Sequence, residues 1–144
     1  MSFPLPVSTV EGGVSINMAP DVCWTPTPTT PPGAPVPYPN VAKHTGAKKT
    51  TKKVLVRNKK CLIEGSFIPS STGDEPGCNQ PVPNGRMGVK SRKQMGKCEF
   101  SSHSSKVKME GKGVIVHTAT TKHNEGNTAG KHGVPSQRVV LAAK

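Results

Sequence analysis

The sequence predicts an all-β fold of short strands joined by ordered turns, on three observations. Glycine and proline are dense, 15 of each in 144 residues. No long segment keeps a 3.6-residue apolar spacing without one of them interrupting it, which excludes a helical bundle. The stretch Val107 to Glu110 alternates apolar and charged side chains, Gly111-Lys112-Gly113 turns the chain, and Val114-Ile115-Val116 runs back, a hairpin pattern. The same pattern occurs at Val54 to Glu64: Val54 aligns with Val107, Val56 with Met109, Asn58 with Gly111, Cys61 with Val114 and Ile63 with Val116, all at one offset of 53 residues. Two copies of a hairpin predict an internally repeated β-structure.

The length allows one domain. Only 32% of residues are hydrophobic and 3% aromatic, so the core is thin and calls for support from a metal, a cross-link or a partner surface. The formal net charge is +12. It fits a solvated surface or an acidic protein partner better than nucleic acid, because the cations are spread over the chain, stacking aromatics are scarce and no nucleic-acid motif is present. No stretch approaches the ~20 apolar residues that span a bilayer, and no apolar run follows a basic N-terminus, so neither a membrane span nor a signal peptide is expected. Cys23, Cys61, Cys78 and Cys98 therefore read as thiols or metal ligands, with Cys61 and Cys98 as buried small hydrophobes on strands.

Residues 1–13 are expected to form an N-terminal extension in which Pro4 and Pro6 prevent regular pairing, and 14–144 one domain. Val14-Ser15-Ile16-Asn17 is a first strand. Asp21 to Asn40 has so many prolines that its backbone must be extended, and Cys23, Trp24 and Tyr38 mark it as a packed loop. Val41 to Lys53 is a basic loop into the first hairpin; Gly65 to Gly77 and Pro81 to Gln94 are turn-rich. Lys97 to Ser102 returns to alternation as a strand. Asn124 to Gly133 reads as a glycine-rich loop, with His44 and His132 in surface loops, and Val139-Val140-Leu141 as a closing strand.

Six blocks of this chain resemble the PAAR-like spike-tip proteins of contractile injection systems. They are Asp21-Val22-Cys23-Trp24-Thr25-Pro26, Pro35-Val36-Pro37-Tyr38-Pro39-Asn40, Ser71-Thr72-Gly73-Asp74-Glu75-Pro76-Gly77, Gly96-Lys97-x-Glu99-Phe100, Val107-x-Met109-Glu110-Gly111-Lys112 and His123-Asn124. The tetrapeptide that names the wider family is replaced by Gly113-Val114-Ile115-Val116. The resemblance implies a small conical β-structure with pseudo-three-fold symmetry, and a structural zinc ion near its vertex held by His and Cys. It also implies one tip per trimeric spike protein, VgrG-like or phage-spike-like, with an effector or toxin chain as a further partner and transient contact with the target membrane. Specific nucleic-acid binding and homo-oligomers are not expected. Such a chain is made in the cytoplasm and leaves with the injection particle.

Within that family frame, equivalent loops would each offer a ligand. Cys78 and His123 stand at the same step after Gly73-Asp74 and Thr118-Ala119, and Cys23 stands five residues after Met18. Cys23, Cys78 and His123 are the expected ligands, with His117 as the fourth and His103 as a substitute. Four protein ligands would close the shell and make the ion structural. The expected function is a non-enzymatic spike tip that sharpens the spike and aids membrane piercing. Competing readings are a basic zinc-stabilised nucleic-acid-binding module and a metal-dependent nuclease using His117, His123, Asn124 and His132. The nuclease has only Glu125 as a nearby carboxylate.

Overall fold

A computed structural model describes residues 4–25, 34–74, 88–93 and 95–143. Its centre is a ring of backbone hydrogen bonds among three extended segments, 7–9, 61–63 and 114–116. Ser8 N–H donates to the Ile115 carbonyl (2.9 Å), Ile115 N–H to Leu62 (3.0 Å) and Leu62 N–H to Ser8 (2.9 Å). A second ring runs in the opposite sense: Val10 donates to Lys60 (3.0 Å), Glu64 to Gly113 (2.8 Å) and His117 to Pro6 (2.8 Å). Donors within each ring are spaced 54 and 53 residues apart. The three segments are thus related by a pseudo-three-fold axis, and the offset seen in the sequence is the repeat of that axis.

Each segment joins a pair of short strands. Strands β6 (Leu55–Val56) and β7 (Lys59–Lys60) form the first hairpin, and β10 (Lys108–Met109) and β11 (Lys112–Gly113) the second. Both turns hold two residues at positive φ, Arg57 (53°) with Asn58 (64°) and Glu110 (52°) with Gly111 (81°). That conformation matches the twist of tightly joined strands. The third pair is made by the two ends of the chain: β1 (Leu5–Pro6) against β14 (Leu141–Ala142). Residues 5–9, expected in an extension, are therefore part of the central structure. Pro6 is tolerated because the tier asks it for an acceptor, which its carbonyl gives to His117. Val7, Val56, Cys61, Val114, Val116 and Ala142 form the apolar centre of this tier.

Beyond the ring the chain makes a six-stranded antiparallel sheet. Strands β2 (Val14–Asn17), β8 (Phe67–Ile68) and β12 (Thr120–His123) leave the ring; β5 (Val41–Lys43), β9 (Cys98–Phe100) and β13 (Thr128–Val134) lead back toward it. The order β5-β2-β13-β12-β9-β8 alternates the two kinds. Isolated bridges Val41–Thr72 and Lys48–Phe67 nearly close the sheet into a barrel and leave little of its edges open. At the far end β3 (Asp21–Thr25) pairs with β4 (Ala34–Tyr38), whose Pro35 and Pro37 stand opposite Trp24 and Val22. Those prolines leave its outer edge poor in donors. The loop expected over Asp21 to Asn40 is this two-stranded ribbon, in the part of it that is described. No helix among the described residues is long and apolar enough to cross a membrane.

Two expectations are corrected here. The stretch expected as a glycine-rich loop contains β13, the longest strand. Gly130 is required where β13 runs against β2, since an added Cβ would collide with the Ile16 carbonyl and the His123 ring. His44 and His132, expected at the surface, are 0% and 1% exposed. His132 alternates inward with Thr128 and Gly130 on β13. The two imidazoles lie 4.2 Å apart, centroid to centroid. His44 Nε2 meets Ser15 Oγ at 2.8 Å, and His132 Nδ1 meets His117 Nδ1 at 3.2 Å. Cys61 and Cys98 are buried as expected.

Burial and the neighbouring imidazoles push His44 down to about 3, and burial, with His117, pushes His132 down to about 4. The unfolded chain, with imidazoles near 6.5, takes up protons that the folded chain refuses. The contribution of these two histidines to stability is therefore complete above that value and falls as pH drops from it toward 4. Each histidine costs about 1.4 kcal/mol per pH unit within that window, and urea unfolding at about pH 7.5 and about pH 5, compared for the wild type and H44Q, measures it. The repeat gives a second expectation. Gly65 (φ 93°) and Thr118 (φ 70°) occupy equivalent left-handed positions, and a β-branched residue is strained there. T118G should be neutral or stabilising by up to ~1 kcal/mol and G65T destabilising by ~1–2 kcal/mol, read from thermal unfolding.

Candidate metal centre

The loops at the barrel end away from the ring converge on Asp21. Asp21 and Cys23 point the same way because they are two apart on β3, and both are fully buried, as is Asp74. One ligand atom from each of the three lies within 4.8 Å of the others. The Cys23 Sγ is 3.8 Å from Asp21 Oδ1 and 3.9 Å from Asp74 Oδ2. Among the described residues this is the one group of three with metal-ligand geometry.

Asp21 is also the acceptor for three side-chain amides. Asn40 Nδ2 donates at 3.0 Å, Asn124 Nδ2 at 3.3 Å, and Asn127 Nδ2 donates too. These three asparagines come from the residue before β5 and from the turn between β12 and β13, so one carboxylate ties separate loops. Asn124 takes φ 48°, a conformation asparagine accepts more readily than most residues. Asp74 accepts the Met95 N–H with both oxygens at 3.2 Å. Burial, then the hydrogen bond to Asp21 and its charge, raise Asp74 to about 7. Two buried carboxyls beside a sulfur need a proton or a cation between them.

The expected ligands fall in different places. Cys23 belongs to the group. His123 lies one residue outside it: its Nδ1 meets Asn40 Oδ1 at 2.8 Å, and Asn40 in turn holds Asp21. Because Asn40 donates its amide to Asp21, its oxygen faces His123, so Nδ1 carries the imidazole proton. Nε2 then accepts from the Cys98 thiol at 3.8 Å, which burial keeps protonated by pushing it up to about 12. Both nitrogens of His123 are occupied, and burial lowers its pKa to about 4. His117 starts the segment that ends at His123 and sits at the ring end against His132, away from Cys23. Cys78 lies outside the described residues. His103 pairs with Glu64 at 3.6 Å.

Sequence reasoning sought nitrogen and sulfur and passed over Asp21 and Asp74, although both stood in the quoted motifs. The signal was Asp21-x-Cys23 on a strand, which puts oxygen and sulfur on one face. The residue set fits a divalent ion that accepts mixed oxygen and sulfur ligands. Of the residues in the nuclease reading, His123, Asn124 and His132 are buried and His117 is half-buried. D21N would leave three amide donors with one acceptor oxygen, and a loss of about 2–4 kcal/mol in denaturant unfolding is expected.

Comparison with known proteins matches residues 14–130 to the toxin PAAR-like domain. The chain is 38% identical over 121 residues to the DNase toxin Tse7 of Pseudomonas aeruginosa, an alignment covering 82% of this chain and 30% of that protein. The chain thus spans about a third of the length of that relative. No solved structure matches it.

Proposed function

The chain belongs to the toxin PAAR-like domain family, and from that membership we propose that it is the non-enzymatic tip of a type VI secretion spike, seated on the end of a trimeric spike protein. The observation that carries this reading is the ring formed by Ser8, Leu62 and Ile115. A single chain with three similar faces around one axis meets a true three-fold partner with three similar contacts. The three strand pairs form the docking tier, and the barrel with its tied loops forms the leading end. The role is mechanical: closed strands and short tethered loops transmit force without opening an edge.

The leading end would be held by one structural zinc ion bound to Asp21, Cys23 and Asp74. Cys78, four residues along the chain from Asp74, is within reach as the fourth ligand. Asn40, with His123 behind it, would orient Asp21 toward the ion. The ion would supply cohesion between loops and no catalysis. A toxin relative supports a second element of the reading: the tip carries an effector to the target, as an attached region or a bound chain. Any nuclease chemistry would then belong to that effector and not to residues 14–130.

Purified chain is expected to hold about one zinc per molecule by elemental analysis, with C23S losing most of it and a chelator lowering the melting temperature. Equal zinc content in the wild type and C23S would remove the proposed ligand set. With the trimeric spike protein produced alongside it, the chain should elute as one tip to three spike chains; separate elution would remove the capping role.

A further inference from the structure

The positive charge of this protein is concentrated at the docking tier. The first hairpin and its approach carry Lys52, Lys53, Arg57, Lys59 and Lys60, all exposed. The second carries Lys106, Lys108 and Lys112, and the third pair Arg138. Against these nine cations the tier segments 4–10, 52–60, 104–113 and 137–143 hold one acid, Glu110, so the tier bears eight of the twelve net charges. Glu110 does little to offset them. Its carboxylate accepts the N–H groups of Lys52 (2.7 Å), Lys53 (3.2 Å) and Val54 (3.4 Å), a use that ties the second hairpin to the first. The Arg57 guanidinium meets Glu11 at 3.9 Å.

The axis also orders these charges. Lys53, Lys106 and Val139 occupy equivalent positions, as do Lys59, Lys112 and Leu5, and Leu55, Lys108 and Leu141. Each set places cations and apolar side chains at corresponding points. Leu55, Leu141 and Val139 are 50%, 48% and 70% exposed. Large exposed apolar residues among charges are the makeup of a protein contact, and aromatic platforms for stacking bases are scarce.

We propose that the tier recognises an acidic protein end with three-fold symmetry, the charges of Lys53, Lys59, Lys106 and Lys112 steering and registering it while Leu55 and Leu141 pack at the contact. This rests on the spike-tip reading and adds the chemistry of the partner. Acidic side chains ring the end of the spike, and association is fast and sensitive to salt.

The test measures binding of the trimeric spike protein produced with this chain, at about 50 and about 300 mM salt. The wild type is compared with K53E/K106E on the tier and with K122E/K131E on the barrel, where both lysines are exposed. Circular dichroism checks folding of each variant. The expected result is about tenfold weaker binding at high salt, and a further loss of about tenfold or more for the tier variant, against less than threefold for the barrel variant. Binding that ignores salt and both variants overturns the acidic-partner inference and leaves the spike-tip reading standing. Equal weakening by both variants also overturns it, since net charge alone would then act. No spike binding, with retention instead on duplex DNA or phosphatidylserine vesicles that K53E/K106E abolishes, overturns both.

Discussion

Three hydrogen bonds, passed around a closed circle by Ser8, Leu62 and Ile115, fix everything else in this molecule. A thin apolar inventory cannot build a large core, and the ring makes a small one sufficient. It places Val7, Cys61 and Val114 at matching points of the tier centre, and Leu62, Ile115 and Ala119 at the junction with the barrel. Backbone pairing sets the register there, so the side chains need only fill the space it encloses. Where the ring ends, the strands splay into a barrel whose six members alternate between leaving and returning.

Polar groups fill what apolar ones do not. His44, His123 and His132 lie inside the barrel, and the asparagines around Asp21 complete the loops beyond it. Such an interior holds its shape through directional bonds, and it is satisfied only at the intended geometry. The cost is sensitivity to protonation inside the barrel and to the loss of any one partner at the loop end. Full burial of Asp21, Cys23 and Asp74 turns that sensitivity toward a cation.

The hairpins were legible because two signals coincided: alternation with a period of two, and an offset kept over five residue pairs. The third unit was not, because its strands come from opposite ends of the chain and no contiguous stretch contains it. β13 escaped because glycine usually marks a loop, whereas Gly130 serves a close strand approach. His132 was misjudged with it, as its inward direction follows from the strand. His44 stands in a single 3₁₀ turn after β5, where basic neighbours suggest solvent and the barrel supplies burial. At the site, Cys23 was legible from its motif; the carboxylates beside it became visible only when the loops from residues 21, 40 and 74 were seen to meet.

The pairing of Leu5-Pro6 with Leu141-Ala142 has a consequence for synthesis. A ribosome delivers Leu5-Pro6 long before Leu141-Ala142, so the first of these strands waits unpaired while the residues between them are translated. The two hairpins can form as they emerge, but the third strand pair must wait for Leu141-Ala142. The molecule is therefore born open, and these two distant strands act as the clasp.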